Sequence, residues 1–236
     1  MTALDDPQGV REEYASEERL AARASIYQWS EGPDPLAVLQ QAVAEAKPRR
    51  CLDVGCGRGQ FSEWMAHELG ADVVALDQSE RMVELTRARG IEAVLGDVRD
   101  LPFGDSEFDC VLAAWMLFHV AEVDEALAEI ARVLRPGGRL VAVTNGTAHM
   151  RELRELLGVA TPDWSFSADN GSRLLERHFA HVEARDTSGT VRFPDRDAAQ
   201  AYVEASVQLA GWSAELPPFD GELAVTRAPC VFVATT

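Results

Sequence analysis

Residues 50–62, RCLDVGCGRGQFS, constrain this chain more than any other stretch. A short apolar run passes through Asp53 and Val54 into three glycines at alternate positions, Gly55, Gly57 and Gly59, and then into an amphipathic segment. That succession reads as a strand, a tight turn and the start of a helix, the opening unit of a nucleotide-binding α/β fold. Glycines let the backbone turn sharply and approach a ligand without Cβ clashes. A helix starting near Gly59 presents unpaired N–H groups and a positive dipole end to a carboxylate or phosphate. A dinucleotide fingerprint requires G-x-G-x-x-G, whereas Gln60 stands here where the third glycine would fall. Asp53, directly before the turn, would repel a pyrophosphate and suits a ligand bearing ammonium and sulfonium charge.

At 236 residues, the chain fits one large α/β domain with appended helices better than two domains. The formal charge of −17 argues against non-specific nucleic-acid binding and favours a small or cationic substrate. The cysteines at 51, 56, 110 and 230 lie in or beside expected strands, and no Cys/His pair at zinc spacing follows the first two. Buried reduced thiols are the expectation, with no metal site. The N-terminal MTALDDPQG has no basic region followed by an apolar stretch, and no apolar run approaches a membrane span. A soluble, cytoplasmic protein, monomeric or homodimeric, is expected.

Helical periods are expected over 11–24 and 36–46, forming an N-terminal cap within residues 1–48. Tyr14, Tyr27 and Trp29 are candidates to line it for the substrate, against the plainer expectation that they pack the helices onto the domain. Strands follow at 51–54, 72–77, 92–95, 108–114 and 139–145, with helices at 60–69, 80–88 and 122–134 between them. The β-branched strand DVVALD ends at Asp77, eighteen residues after Gly59, where an acidic group reaches ribose hydroxyls in nucleotide folds. The near-continuous apolar FDCVLAA is the kind of strand buried on both faces of a parallel sheet. The alternation of β and α gives a doubly wound, mostly parallel sheet. Beyond 146 the pattern weakens. Helices are expected at 149–157, 170–178 and 198–209, strands at 179–186 and 223–234, and material near 147–172 and 189–222 is available to cover a substrate.

The glycine run, Asp77, the Gly96-Asp97-Val98 turn, Leu101-Pro102-Phe103 and the LRPGGRL segment resemble, in order and spacing, the motifs of class I S-adenosylmethionine (SAM) dependent methyltransferases, of the small-molecule, type-11-domain kind. The resemblance covers roughly residues 50–145. It implies a seven-stranded Rossmann-like methyltransferase domain over 49–236, with the last two strands forming an antiparallel edge. It also implies SAM as cofactor and S-adenosylhomocysteine (SAH) as product. Carried over by position, Asp53, Gly55, Cys56 and Gly57 would hold the methionine end, with its carboxylate at the amides near Gly59 and Gln60. Asp77 would bind the ribose, with Gln78 and Met82 beside it. Asp97 and Val98 would read the adenine, and Ala113 and Ala114 would pass under the sulfonium.

Transfer is an in-line displacement at an already activated methyl, so a base is needed only where the acceptor loses a proton. His119, just after the fourth core strand, is the first candidate base, and His149, just after the fifth, the second. Trp115 and Asn145, at the same strand ends, are candidates to contact the acceptor. The expected function is methylation of O or N on a small metabolite, in specialised metabolism. The alternatives are C-methylation of a quinone or lipid-like acceptor, a non-catalytic SAM-fold partner protein, and a dehydrogenase, which the Gly59 spacing disfavours.

Overall fold

The computed structural model describes residues 28–206 and 215–236. In chain order the strands are β1 (Ser30–Glu31), β2 (Arg50–Val54), β3 (Asp72–Asp77), β4 (Glu92–Leu95), β5 (Phe108–Ala114), β6 (Leu134–Asn145), β7 (His181–Asp186), β8 (Gly189–Phe193), β9 (Leu223–Arg227) and β10 (Pro229–Thr235). The helices are α1 (Pro35–Glu45), α2 (Gln60–Glu68), α3 (Glu80–Arg87), α4 (Val123–Val133), α5 (Arg151–Leu157), α6 (Gly171–Leu175) and α7 (Arg196–Ala205).

Seven strands form one sheet in the order β4-β3-β2-β5-β6-β10-β7. The first five run parallel, while β10 pairs antiparallel with both β6 and β7. β2, bonded on both sides and buried from Cys51 to Val54, lies inside the sheet, so its carboxyl end opens toward the middle of the sheet edge. Parallel strands need helical crossovers that cover both faces, and two apolar clusters show this. One gathers Phe108, Leu127, Ile130 and Phe232 under α4 and α6, and the other Leu39, Met65, Val83 and Val143 under α1, α2 and α3. A separate three-stranded sheet, β1-β8-β9, shelters a third cluster with α5 and α7, including Val191, Phe193 and Tyr202.

The helix expected over 170–178 is the shorter α6, the strand expected over 179–186 starts at His181, and three larger differences stand out. β6 begins at Leu134 rather than 139, because Leu134 already has extended backbone (ψ 138°) and pairs with Phe108 across an irregularity in the β5 register. The Pro-Gly-Gly segment is thereby drawn into the strand. The expected single strand over 223–234 is two strands in different sheets. Pro229 has no N–H to continue the first ladder, and Ala228 turns the chain, its carbonyl accepting from Gly146 N–H at 2.6 Å. β1 and β8 carry no expectation at all; they are short and pair with each other and β9 only through contacts distant in sequence. The expected helix over 11–24 lies outside the described residues. Of the expected cap, α1 packs on β6 and β10. The expected helix over 198–209 is α7, described to Ala205.

Phe232 links the last strand to the covering segment: it meets Phe166 edge-on at 5.7 Å, and a Cβ on Gly171 would come within 2.7 Å of its ring. Phe232→Ala should lower unfolding stability by about 3–5 kcal/mol, measured by urea denaturation; a loss below about 1 kcal/mol would show that this contact does not anchor the segment.

Candidate functional site

At the end of β2 the backbone bends through Gly55 (φ 64°), Gly57 (φ 55°) and Gly59 (φ 73°), all in the left-handed region that side chains disfavour. A Cβ at Gly59 would lie 2.7 Å from the Thr86 side chain, so glycine there lets α2 approach α3. Among the described residues, a Cβ at Gly57 would meet nothing within 4 Å, so the bend faces open space between them at that point. Cys56 N–H donates to Leu76 O (3.1 Å), and Thr86 Oγ1 donates to Gly57 O (3.2 Å); both fix the bend against β3 and α3. The Cys56 thiol is buried and pushed above its ordinary range by that burial, so it stays protonated.

Two carboxylates flank the bend. Asp53, 1% exposed, accepts from the Ser62 hydroxyl at 2.5 Å and from the Ser62 backbone N–H. Burial pushes its pKa up to about 7, Ser62 opposing and the nearby Asp77 adding to the rise. Asp77, 8% exposed, accepts from Gly57 N–H through Oδ2 and from Ser79 N–H through Oδ1, each at 2.9 Å. Burial raises its pKa and these amides oppose the rise. Among the described residues neither carboxylate has a cationic side chain paired with it. A ligand carrying positive charge and hydroxyl donors suits the pair, and a pyrophosphate does not.

The other candidates line the same edge. Gln60 opens α2 and is exposed; Gln78 is exposed beside Asp77, and Met82 is buried under the start of α3. Gly96 N–H donates to Asp77 O (3.0 Å), which joins the end of β4 to the end of β3 and places Asp97 and buried Val98 next along the edge. Asp97 is engaged by Arg99, whose side chain holds its carboxylate below the usual range. Buried Ala113 and half-buried Ala114 end β5. Trp115 follows with φ 51°, an unusual conformation for a bulky residue. Its indole N–H donates to Asn145 Oδ1 (3.4 Å) and its ring stacks on Phe61 at 6.5 Å, so Trp115 and Asn145 are brought together. Met116 packs over Gly55, where a Cβ would meet it at 2.7 Å.

His119 ends a 3-10 turn, Leu117–His119, half-buried with its ring 4.2 Å from Phe118. The segment around Trp164 closes on that turn: Trp164 lies 5.7 Å from Phe118, and Ser165 Oγ donates to the carbonyls of Leu117 and Phe118, each at 3.4 Å. His149 sits elsewhere. Its Nδ1 accepts from Ala228 N–H (3.2 Å) at the junction of β9 and β10, and burial, with the charges of Arg154 and Arg227, pushes its pKa down to about 3. A neutral ring accepting at Nδ1 carries its proton on Nε2, so it has no free lone pair to act as a base. Trp29 packs against Phe193 at 5.9 Å in the small-sheet cluster. Tyr14 and Tyr27 lie outside the described residues. No cluster of three or more potential metal ligands occurs among the described residues, and no described helix is long and apolar enough to cross a membrane. Ser62, Thr86 and Arg99 carry no sequence expectation. Only Arg99, two residues after an acidic turn residue, has a local signal, because Asx turns bond to the backbone two positions on.

A sheet of this order, with a glycine bend after one strand and an acidic residue ending the next, is the frame of the Rossmann-like nucleoside-binding class. Residues 52–142, the stretch that carries β2 to β6, match the family described as Methyltransferase domain. It is 36% identical over 139 residues to the malonyl-[acyl-carrier protein] O-methyltransferase of Methylococcus capsulatus, covering 52% of this chain and 50% of that protein. It is 44% identical over 102 residues to the demethylmenaquinone methyltransferase of Renibacterium salmoninarum, covering 42% and 43% respectively. The chain thus spans half or less of these curated relatives. Its fold is similar to that of a Haemonchus contortus phosphoethanolamine N-methyltransferase in complex with phosphomonomethylethanolamine and SAH, at 17% identity and a TM-score of 0.57, covering 87% of this chain and 53% of that one.

With burial pushing the Asp53 pKa up to about 7 in the folded state, against about 4 for an unperturbed Asp, the folded state holds an extra proton between those values. Stability should therefore fall as pH rises from about 4 to 7 and level off above. Asp53→Asn keeps the Ser62 bond and removes the buried charge. It should stabilise the cofactor-free protein at pH 8 by up to about 4 kcal/mol and flatten that part of the profile. Thermal unfolding across pH checks this; an unchanged slope would place the buried charge elsewhere.

Proposed function

We propose that this chain transfers the methyl group of SAM to an oxygen or nitrogen of a small-molecule acceptor. What supports the reading is that, among the described residues, Gly57 faces open space between two buried carboxylates with no cationic partner. In this reading Asp53 faces the ammonium of the methionine end, across the bend of Gly55, Cys56 and Gly57, and the amides at Gly59 and Gln60 face its carboxylate. Asp77 accepts from the ribose hydroxyls with Gln78 and Met82 beside it, Asp97 and Val98 meet the adenine, and Ala113 and Ala114 lie under the sulfur. SAM supplies a methyl carbon activated by positive sulfur. The chain's residues supply orientation and a dry site, effects worth about 7–11 kcal/mol when reacting atoms are well placed.

On the acceptor side, Trp115, Phe61 and the Asn145 amide form a wall of flat apolar surface with one polar end, which suits a planar or partly apolar metabolite. His119 is the base where the acceptor must lose a proton, because His149 has its acceptor nitrogen engaged. The two relatives are named for O-methylation of malonyl-[acyl-carrier protein] and for methylation of demethylmenaquinone, which fits an acceptor that is not nucleic acid. The negative net charge disfavours nucleic acid.

Asp77→Ala should weaken SAH binding by about 1.5–3 kcal/mol, the cost of losing hydrogen bonds to a charged group, as measured by isothermal calorimetry. Unchanged affinity, or tight binding of NADH in place of SAH, would overturn the reading.

A further inference from the structure

Asp97 does not stand alone at the adenine end of the sheet. Its Oδ1 accepts from Arg99 backbone N–H (2.9 Å), its Oδ2 accepts from Arg99 Nη2 (2.6 Å), and Arg99 Nε is shared between Oδ1 (3.0 Å) and Oδ2 (3.2 Å). The guanidinium lies fork-to-fork against the carboxylate, a geometry that fixes the carboxylate plane as well as its charge. Its third nitrogen, Nη1, donates to Glu122 Oε2 (2.5 Å). Glu122 is the residue that precedes α4. One arginine therefore spans the loop after β4 and the loop after β5, and it uses up most of the acceptor positions on Asp97. An ionised carboxylate offers about four lone-pair sites; three Arg99 N–H groups, one of them shared between the two oxygens, leave the carboxylate able to accept one more hydrogen bond.

We propose that Arg99 is a positioning residue for the nucleobase: it holds the Asp97 carboxylate in one plane, presents its remaining acceptor site to a 6-amino purine and so sets the preference for that base over a 6-oxo purine. The inference rests on the reading in which Asp97 meets the adenine. A carboxylate held ionised and immobile accepts from an amino group and repels a carbonyl oxygen at the same place. A carboxylate free to rotate can turn away from the carbonyl and discriminates less. The pair is about two-fifths exposed, so its contribution to folding should be small. Arg132 holds the rest of the segment independently, donating to the carbonyls of Leu101 and Phe103 and pairing with Asp105 and Glu129.

The test is calorimetric titration of the full chain with SAH and with S-inosylhomocysteine, its 6-oxo counterpart, for the natural protein, Arg99→Ala, Arg99→Lys and Asp97→Ala. The natural protein should prefer SAH by roughly 10–100-fold, the range for a hydrogen bond to a charged group. Arg99→Ala should bring the two affinities to within about threefold, chiefly by weakening SAH, and Arg99→Lys, which restores charge without the fork, should recover only part of the preference. Melting temperatures should move by no more than about 3 °C. Equal weakening of both ligands in Arg99→Ala, or a preference left as in the natural protein, overturns the positioning role. Asp97→Ala keeping the full preference overturns the adenine reading beneath it, and the natural protein failing to bind SAH overturns the cofactor reading itself.

Discussion

Two carboxylates held out of water, with no cationic side chain beside them among the described residues, are the constraint around which this site is arranged. Burying an uncompensated charge is among the least favourable things a folded chain can do. Here the cost is met only in part, by the Ser62 hydroxyl on Asp53 and by the Gly57 and Ser79 amides on Asp77. In the proposed reading, a ligand that brings positive charge and hydroxyl donors to the bend offsets the rest. The same interactions explain the surrounding framework. Gly57 must be left-handed for its N–H to reach Asp77, Ser62 must begin a helix close behind Asp53, and Thr86 must hold the Gly57 carbonyl from α3.

The sheet order carries these local contacts into one continuous edge. β2, β3 and β4 are neighbours in parallel register, so Asp53, Asp77 and Asp97 fall in sequence along the carboxyl ends of adjacent strands. β5, on the other side of β2, delivers Ala114 and Trp115 to the opposite flank. The left-handed backbone at Trp115 costs on the order of 1–3 kcal/mol. It is held by a bond from Trp115 N–H to Val143 O (2.9 Å) and by the indole contact with Asn145. Packing of the Trp164 segment on Phe118 then closes the edge from above. The small β1-β8-β9 sheet stands apart from this line, with its own apolar cluster.

The parallel half of the fold was legible because its strands carry short apolar runs, those of β2, β3 and β4 ended by a glycine or an acidic residue, and each intervening helix shows one apolar face. Asp53, the three glycines and Asp77 were legible for the same reason, as local chemistry at strand ends. What escaped the sequence depends on contacts distant along the chain. The pairing of Ser30 with Val191 has no local signal, and the passage of residues 223–235 from one sheet to the other turns on Ala228 meeting Gly146 and His149. His149 read as a catalytic candidate because it follows a core strand, but only the fold shows its Nδ1 engaged by a backbone amide. Arg99 escaped because its importance lies in bridging Asp97 to Glu122, a partner twenty-three positions away.

The most direct measurement is the number of protons exchanged when SAH binds, obtained by calorimetry near pH 7 in buffers of different ionisation enthalpy. With Asp53 near its midpoint when the site is free and ionised once an ammonium faces it, binding should release about half a proton per site, and Asp53→Asn should abolish the release. Tight SAH binding without proton release, or a release unchanged by that substitution, would contradict the account that a buried carboxylate waits for a cationic ligand.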